Sequence, residues 1–170
     1  SHPAISGLVI GTRPDCMDEA MLDFFATLSR THFVSIEYGV ESIYDDVLAQ
    51  VNRGHDYAAA RGAIRRTARR GLHTAAHFLF GLTGRQRELD SVRQINELPL
   101  SAVKFHQLQL MRDTPLAKRW LQGDRAGIHL FERREEYEDF IIEVLERLRP
   151  DLPVARFISE TPPRYRLAPD

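Results

Sequence analysis

The chain has a single cysteine, Cys16, in 170 residues. That excludes an internal disulfide and any all-cysteine metal cluster built within this chain. It also has no excess of either charge: the formal net charge is -1, so nothing points to a generic binder of nucleic acid or anionic membrane. No apolar run approaches the roughly 18–20 residues that span a bilayer. The opening "SHPAISGLVIG" does not follow the basic, apolar and cleavage order of a secretory leader. Close repeats and low-complexity tracts are missing too. The expected compartment is the cytoplasm, with no membrane partner.

What is present is an ordinary globular composition, 43% hydrophobic and 28% charged, in a chain long enough for one core. Apolar, β-branched runs alternate with segments of helical spacing. "GLVIGT" (Gly7–Thr12), "FVSIEYG" (Phe33–Gly39), "LHTAAHFLFG" (Leu72–Gly81), "SAVKFHQLQL" (Ser101–Leu110) and "PVARFIS" (Pro153–Ser159) read as strands. Helices are expected over Asp18–Arg30, Ile43–Asn52, Tyr57–Gly71, Arg85–Leu98, Pro115–Gln122 and Glu132–Arg149. This alternation defines an α/β chain of βαβ crossovers on a parallel sheet, whose ligands bind at the C-terminal ends of the strands.

Strand alternation sorts the side chains by face. Val34, Ile36, Tyr38, Phe78, Phe80, Val103 and Phe105 form a bulky apolar face. Arg13, Glu37, His77, Lys104 and His106 fall on the other. Helices on both sides of an open sheet would bury that polar face at high cost, whereas a barrel lumen would not. The expectation is therefore part of a TIM-type (β/α) barrel, over residues 1–159, with an extended tail at 160–170.

Several groups on this frame suit chemistry. Glu37, His77 and His106 come from three adjacent strands and have the ligand types of a divalent-metal site; a metal-free hydrogen-bonded network is the alternative. Glu41 and Arg53 flank one helix, too far apart for a helical pair, and either share a pocket rim or stand as separate solvated charges. Arg13, in "GTRPDC", either contacts an anion over the strand ends or braces its loop. "HFLFGLTGR" carries a strand into a Gly-rich turn that brings backbone N–H groups close to a ligand or merely joins strand to helix. Cys16 is expected to be partly buried and inert.

Taken in order, "GTRPDC", "EYGVESIYDDVLAQVNRGHD", "AHFLFGLTG", "VKFHQLQLMRDTPLA" and "RFISETPPRYRLAPD" resemble the later half of a radical S-adenosylmethionine (SAM) barrel. The tail is similar to that of the uncharacterised YhcC-like subgroup, related to coproporphyrinogen dehydrogenase and elongator-type proteins. The resemblance implies that Glu41, Ser42 and Arg53 hold polar groups of the SAM methionine or ribose. Arg13, Glu37 and His77 would line the cofactor site, His77 standing where porphyrin relatives carry an Asp. Backbone groups near Leu108 and Gln109 would lie along the adenine. Two departures stand out: Gly11 replaces a ribose-binding Glu of some relatives, and Glu41 replaces a common Gln, which turns a donor–acceptor group into an acceptor.

The family's CxxxCxxC loop, which ligates a [4Fe-4S] cluster, would lie upstream of Ser1. The chain is thus expected to be an inactive piece of an iron–sulfur oxidoreductase. The complete protein would take reducing equivalents from an electron donor and split SAM into methionine and a 5′-deoxyadenosyl radical. That radical would abstract hydrogen from an unknown substrate, a small molecule, tRNA or protein. The exposed barrel edge at Leu8–Ile10 is expected to self-associate. Competing readings are a metal-dependent barrel hydrolase or oxygenase using Glu37, His77 and His106, and a non-catalytic binding domain.

Overall fold

The computed structural model describes residues 4–125 and 127–169. Residues 1–3 of the expected barrel portion and residue 170 of the expected tail lie outside the described residues. Among the described residues the strands are β1 (Gly7–Thr12), β2 (Phe33–Glu41), β3 (His73–Phe80), β4 (Ala102–Gln107), β5 (Leu110–Met111), β6 (Val154–Arg156) and β7 (Arg166–Ala168). The α-helices among them are α1 (Glu19–Leu28), α2 (Asp45–Gln50), α3 (Tyr57–Arg69), α4 (Arg85–Asn96), α5 (Pro115–Leu121) and α6 (Arg134–Arg147), with a 3-10 turn at Pro14–Cys16.

The main sheet has the order β1-β2-β3-β4-β6, and every adjacent pair is parallel. Each of the first three crossovers includes a helix, which is what a parallel connection requires. Helix starts follow local chemistry: the Asp18, Asp56 and Thr114 side chains accept from the N–H of Met21, Ala59 and Ala117, satisfying donors that a helix N-terminus leaves free. Gly71, at φ +71, closes α3 in the left-handed conformation that glycine adopts without a Cβ penalty.

One face of the sheet buries Val34, Ile36, Tyr38, Phe78, Phe80, Val103 and Phe105 against helices that include α1, α3, α4 and α6. The Tyr38 hydroxyl, deep in that layer, pairs with Thr67 Oγ1 at 2.7 Å, as a buried hydroxyl requires. A smaller core of Val47, Leu82, Leu108, Leu110 and Leu130 sits over the C-terminal ends of the strands. The opposite face is open and polar, as alternation along the strands anticipates. Its far edge, β1, pairs on one side only; Val9 is 61% exposed and neighbouring Phe33 55%.

The expected ten-residue strand at Ser101–Leu110 is broken: it leaves the sheet after Gln107 and resumes as β5, which pairs antiparallel with β7. The tail is therefore tied down rather than merely extended. Cys16 is exposed, contrary to the expectation of partial burial, because the turn that carries it lies on the surface.

Candidate functional site

The C-terminal end of β2 is irregular. Its register with β3 shifts between Gly39 and Glu41, and Glu41 has φ 67, a left-handed conformation that is uncommon outside glycine and is held by surrounding structure. The chain then turns into α2. Buried Ser42 contributes by accepting the Tyr44 N–H at 3.2 Å, so its hydroxyl serves the turn.

After α2 the backbone folds back on β2. Asn52 and Gly54 both have positive φ, 52 and 81, and the Arg53 N–H donates to Leu48 O at 2.9 Å. This reversal returns Arg53 to the strand it left. Its Nη2 donates to Gly39 O at 2.8 Å and lies 3.3 Å from Glu41 Oε1. Gly39 makes the approach possible: a Cβ there would stand 2.3 Å from Arg53 Nη2 and 2.8 Å from Glu41 Oε1. Burial raises the Glu41 pKa, and the nearby guanidinium opposes that rise only in part. Arg53 Nε is buried and has no partner.

Arg13 approaches the same turn from β1; a Cβ on Gly54 would be 3.2 Å from its Nη2. Its guanidinium is engaged by Asp15, with Nε donating to Oδ1 at 2.9 Å and Nη2 to Oδ2. Hydrogen bonding to Arg13 draws the Asp15 carboxyl down to about 2. Arg13 therefore braces its loop and also borders the site.

On the concave face, Lys104 Nζ donates to both Glu37 oxygens, at 2.7 and 2.6 Å, and His77 Nε2 lies 3.2 Å from Glu37 Oε2. Burial alone would raise the Glu37 pKa, but hydrogen bonds from Lys104 and His77 outweigh it, so the carboxyl stays below its usual range. His77 is held neutral mainly by burial, with Glu37 opposing. His106 stacks obliquely on His77, ring centroids 5.3 Å apart. The structure thus gathers Glu37, His77 and His106, but as a lysine-locked network. Among the described residues no group of three or more His, Cys, Asp or Glu side chains is arranged to hold a metal ion, so the metal reading finds no support in their geometry.

The ends of β3 and β4 are fixed by contacts with no simple sequence signal. Leu108 N–H donates to Phe80 O at 2.7 Å, so that backbone donor is already engaged. Gln109 Nε2 donates to Ser159 O at 2.7 Å, while its Oε1 is buried without a partner. Gln107 holds the same Ser159 through both its main-chain N–H and its carbonyl. Gln109 and Asn52 line one cavity of about 430 Å³ together with Val51, Leu110 and Leu116. Glu88 on α4 was not anticipated. It is 4% exposed, its Oε1 accepts from Gly81 N and Thr83 N at 2.7 and 3.2 Å, and burial pushes its carboxyl up to about 8 against those bonds. The signal available was an acid in the first turn of a helix that follows a Gly-rich loop.

The structure is a parallel β/α half-barrel with a polar lumen and a charged pocket at the strand C-termini, the end at which barrel folds place their ligands. Residues 100–170 match the Radical_SAM C-terminal domain family. The chain is 32% identical over 152 residues to Protein YhcC of Escherichia coli K12, covering 88% of this chain and 47% of that protein. Among solved structures, the archaeal Methanocaldococcus infernus Elp3 superposes with a TM-score of 0.81 at 21% identity, over 95% of this chain and 38% of that one. TsrM from Kitasatospora setae, a radical SAM methyltransferase with cobalamin and a [4Fe-4S] cluster bound, superposes with a TM-score of 0.55 at 20% identity, over 66% and 23%. The chain is thus similar to radical-SAM proteins over residues 100–170 and, along most of its length, to the YhcC-like group. It spans about half the length of Protein YhcC and of similar curated relatives from Bacillus subtilis and Methanocaldococcus jannaschii.

Proposed function

We propose that this chain forms the SAM-binding later half of a radical-SAM barrel, within a longer protein that holds a [4Fe-4S] cluster through cysteines outside these 170 residues. The observation that carries this reading is the arrangement of Gly39, Glu41 and Arg53 at the end of β2. The residues fit the cofactor's polar parts. Buried Arg53 Nε is a donor without an acceptor, and Glu41 is an acceptor beside it, suited to the carboxylate, ammonium or ribose hydroxyls of SAM. Gln109 Oε1, a buried acceptor without a donor, borders a cavity with room for a nucleobase. A bound cluster and SAM would supply reductive cleavage to a 5′-deoxyadenosyl radical that abstracts hydrogen. The chain's own residues bind, orient and shield: Arg53 and Glu41 fix one end, with Arg13 bordering their turn, and the lumen network sets the wall facing substrate.

On this reading the chain alone is inactive, and the complete protein needs an electron donor and a substrate. We also propose that the one-sided edge of β1, with Leu8 and Val9 exposed, pairs with a second copy when the chain stands alone. A mass that stays monomeric across concentrations would contradict that pairing.

The cofactor reading is tested by calorimetric titration of SAM into the full-length protein. Arg53→Ala should weaken binding tenfold or more, the worth of one charge-assisted hydrogen bond. Unchanged affinity would place SAM elsewhere.

A further inference from the structure

The concave face carries a second pair of polar groups that no described residue answers. His106 Nε2 is buried and lacks a hydrogen-bond partner. The ring is kept neutral by burial first, then by coupling to its neighbours His77, Arg156 and Lys104, which together push its pKa down to about 4. Arg156, on β6, stands in register with Lys104 and bears on both His77 and His106. Its side chain is exposed and takes part in no ion pair or hydrogen bond among the described residues. Lys104 and Glu37 on this face cancel one another, Nζ donating to both carboxylate oxygens. One uncompensated guanidinium therefore remains beside one orphaned imidazole nitrogen. A buried polar atom without a partner calls for an explanation, and a planar guanidinium is the side chain best matched to carboxylate or phosphate.

Position argues for a role distinct from that of the Glu41–Arg53 pair. His106 is level with Leu79, two residues nearer the strand C-termini than the His77–Lys104 level. It lies on β4, two strands from β2, which at the usual strand spacing is about 10 Å. A ligand group held at β4 and β6 leaves the space over β3 free for a reacting centre.

We infer that Arg156 and His106 form a subsite for an anionic group, carboxylate or phosphate, of the substrate. The word substrate rests on the proposed radical-SAM reading. The subsite itself rests on the free guanidinium and the orphaned nitrogen. Arg156 forms an ion pair with the anion at the open side of the lumen. His106, with its proton on Nε2, donates from below. Lys104 stays with Glu37, which keeps that carboxylate from repelling the ligand.

The test uses inorganic phosphate and acetate as probes. Each is titrated into the full-length protein by calorimetry, with and without saturating SAM. At least one anion should bind saturably, and should still bind with SAM present. Arg156→Gln, a change at an exposed side chain that leaves the core intact, should weaken it fivefold or more. His106→Gln should weaken it by a smaller factor, and SAM affinity should stay within twofold in both variants. Three results overturn the inference: neither anion saturates, Arg156→Gln binds as the unaltered protein does, or SAM displaces the anion, which would give this subsite to the cofactor. Absence of SAM binding to the unaltered protein would contradict the cofactor reading alone. Arg156-dependent anion binding would still uphold the subsite.

Discussion

Gly39→Ala probes the site at the point where sterics and electrostatics meet. The new Cβ would stand 2.3 Å from Arg53 Nη2 and 2.8 Å from Glu41 Oε1, whereas carbon contacts settle at about 3.5 Å. The guanidinium must retreat by about 1 Å, which carries its 2.8 Å bond to Gly39 O past hydrogen-bonding range. A hydrogen bond to a charged group contributes about 1.5–3 kcal/mol. Replacing glycine with alanine returns about 0.4–1 kcal/mol by restricting the unfolded chain, since Gly39 is not at positive φ. The net loss should be about 1–2 kcal/mol. With a urea slope of about 1–3 kcal/mol per molar, the unfolding midpoint of the full-length protein should fall by about 0.5–1 M, and SAM affinity should fall with it. In an Arg53→Ala background the obstruction is gone, so the same change should be neutral or slightly stabilising. That sign change in the double-mutant cycle is the sharp expectation. Equal cost in both backgrounds, or none in either, would refute the role given to Gly39.

Three further outcomes are expected. Glu88 has a folded pKa pushed up to about 8 from an ordinary value near 4.5, so its contribution is fully present below pH 4.5 and is lost as pH rises toward 8. Glu88→Gln should remove a decline of up to about 1.4 kcal/mol per pH unit from the stability profile in that window; an unaltered profile would show that the carboxyl does not titrate there. Gly81→Ala should destabilise by about 3 kcal/mol or more, because φ is +107 and the Cβ would meet His129 O at 2.7 Å; near-normal thermal unfolding would contradict it. Gln107→Ala removes both of its bonds to Ser159 and should speed hydrogen exchange at Ser159. Unchanged exchange would mean that Gln109 alone holds the tail.

Strand faces were legible because period-two alternation is local: Ile36 and Tyr38 against Glu37, Phe105 against Lys104 and His106. The same pattern foretold a half-buried polar lumen. The meeting of Glu41 with Arg53 is not legible in the sequence, since it depends on a bulge at the end of β2 and left-handed residues at Asn52 and Gly54. Asn-Arg-Gly marks a turn but not its destination. The β5–β7 pairing is not legible in the sequence either, because two- and three-residue strands have no periodicity to read. Nothing in the sequence sets Gly39 apart from an ordinary strand glycine, or Arg156 from an exposed strand residue. Their roles appear only when neighbouring strands are set in register.

The most direct test of the central claim is reductant-dependent release of 5′-deoxyadenosine from SAM by the anaerobically reconstituted full-length protein. The account predicts release that disappears when a cluster cysteine outside this chain is replaced, and that drops at least tenfold with Arg53→Ala. A protein that assembles no cluster, binds no SAM and releases no 5′-deoxyadenosine would contradict it.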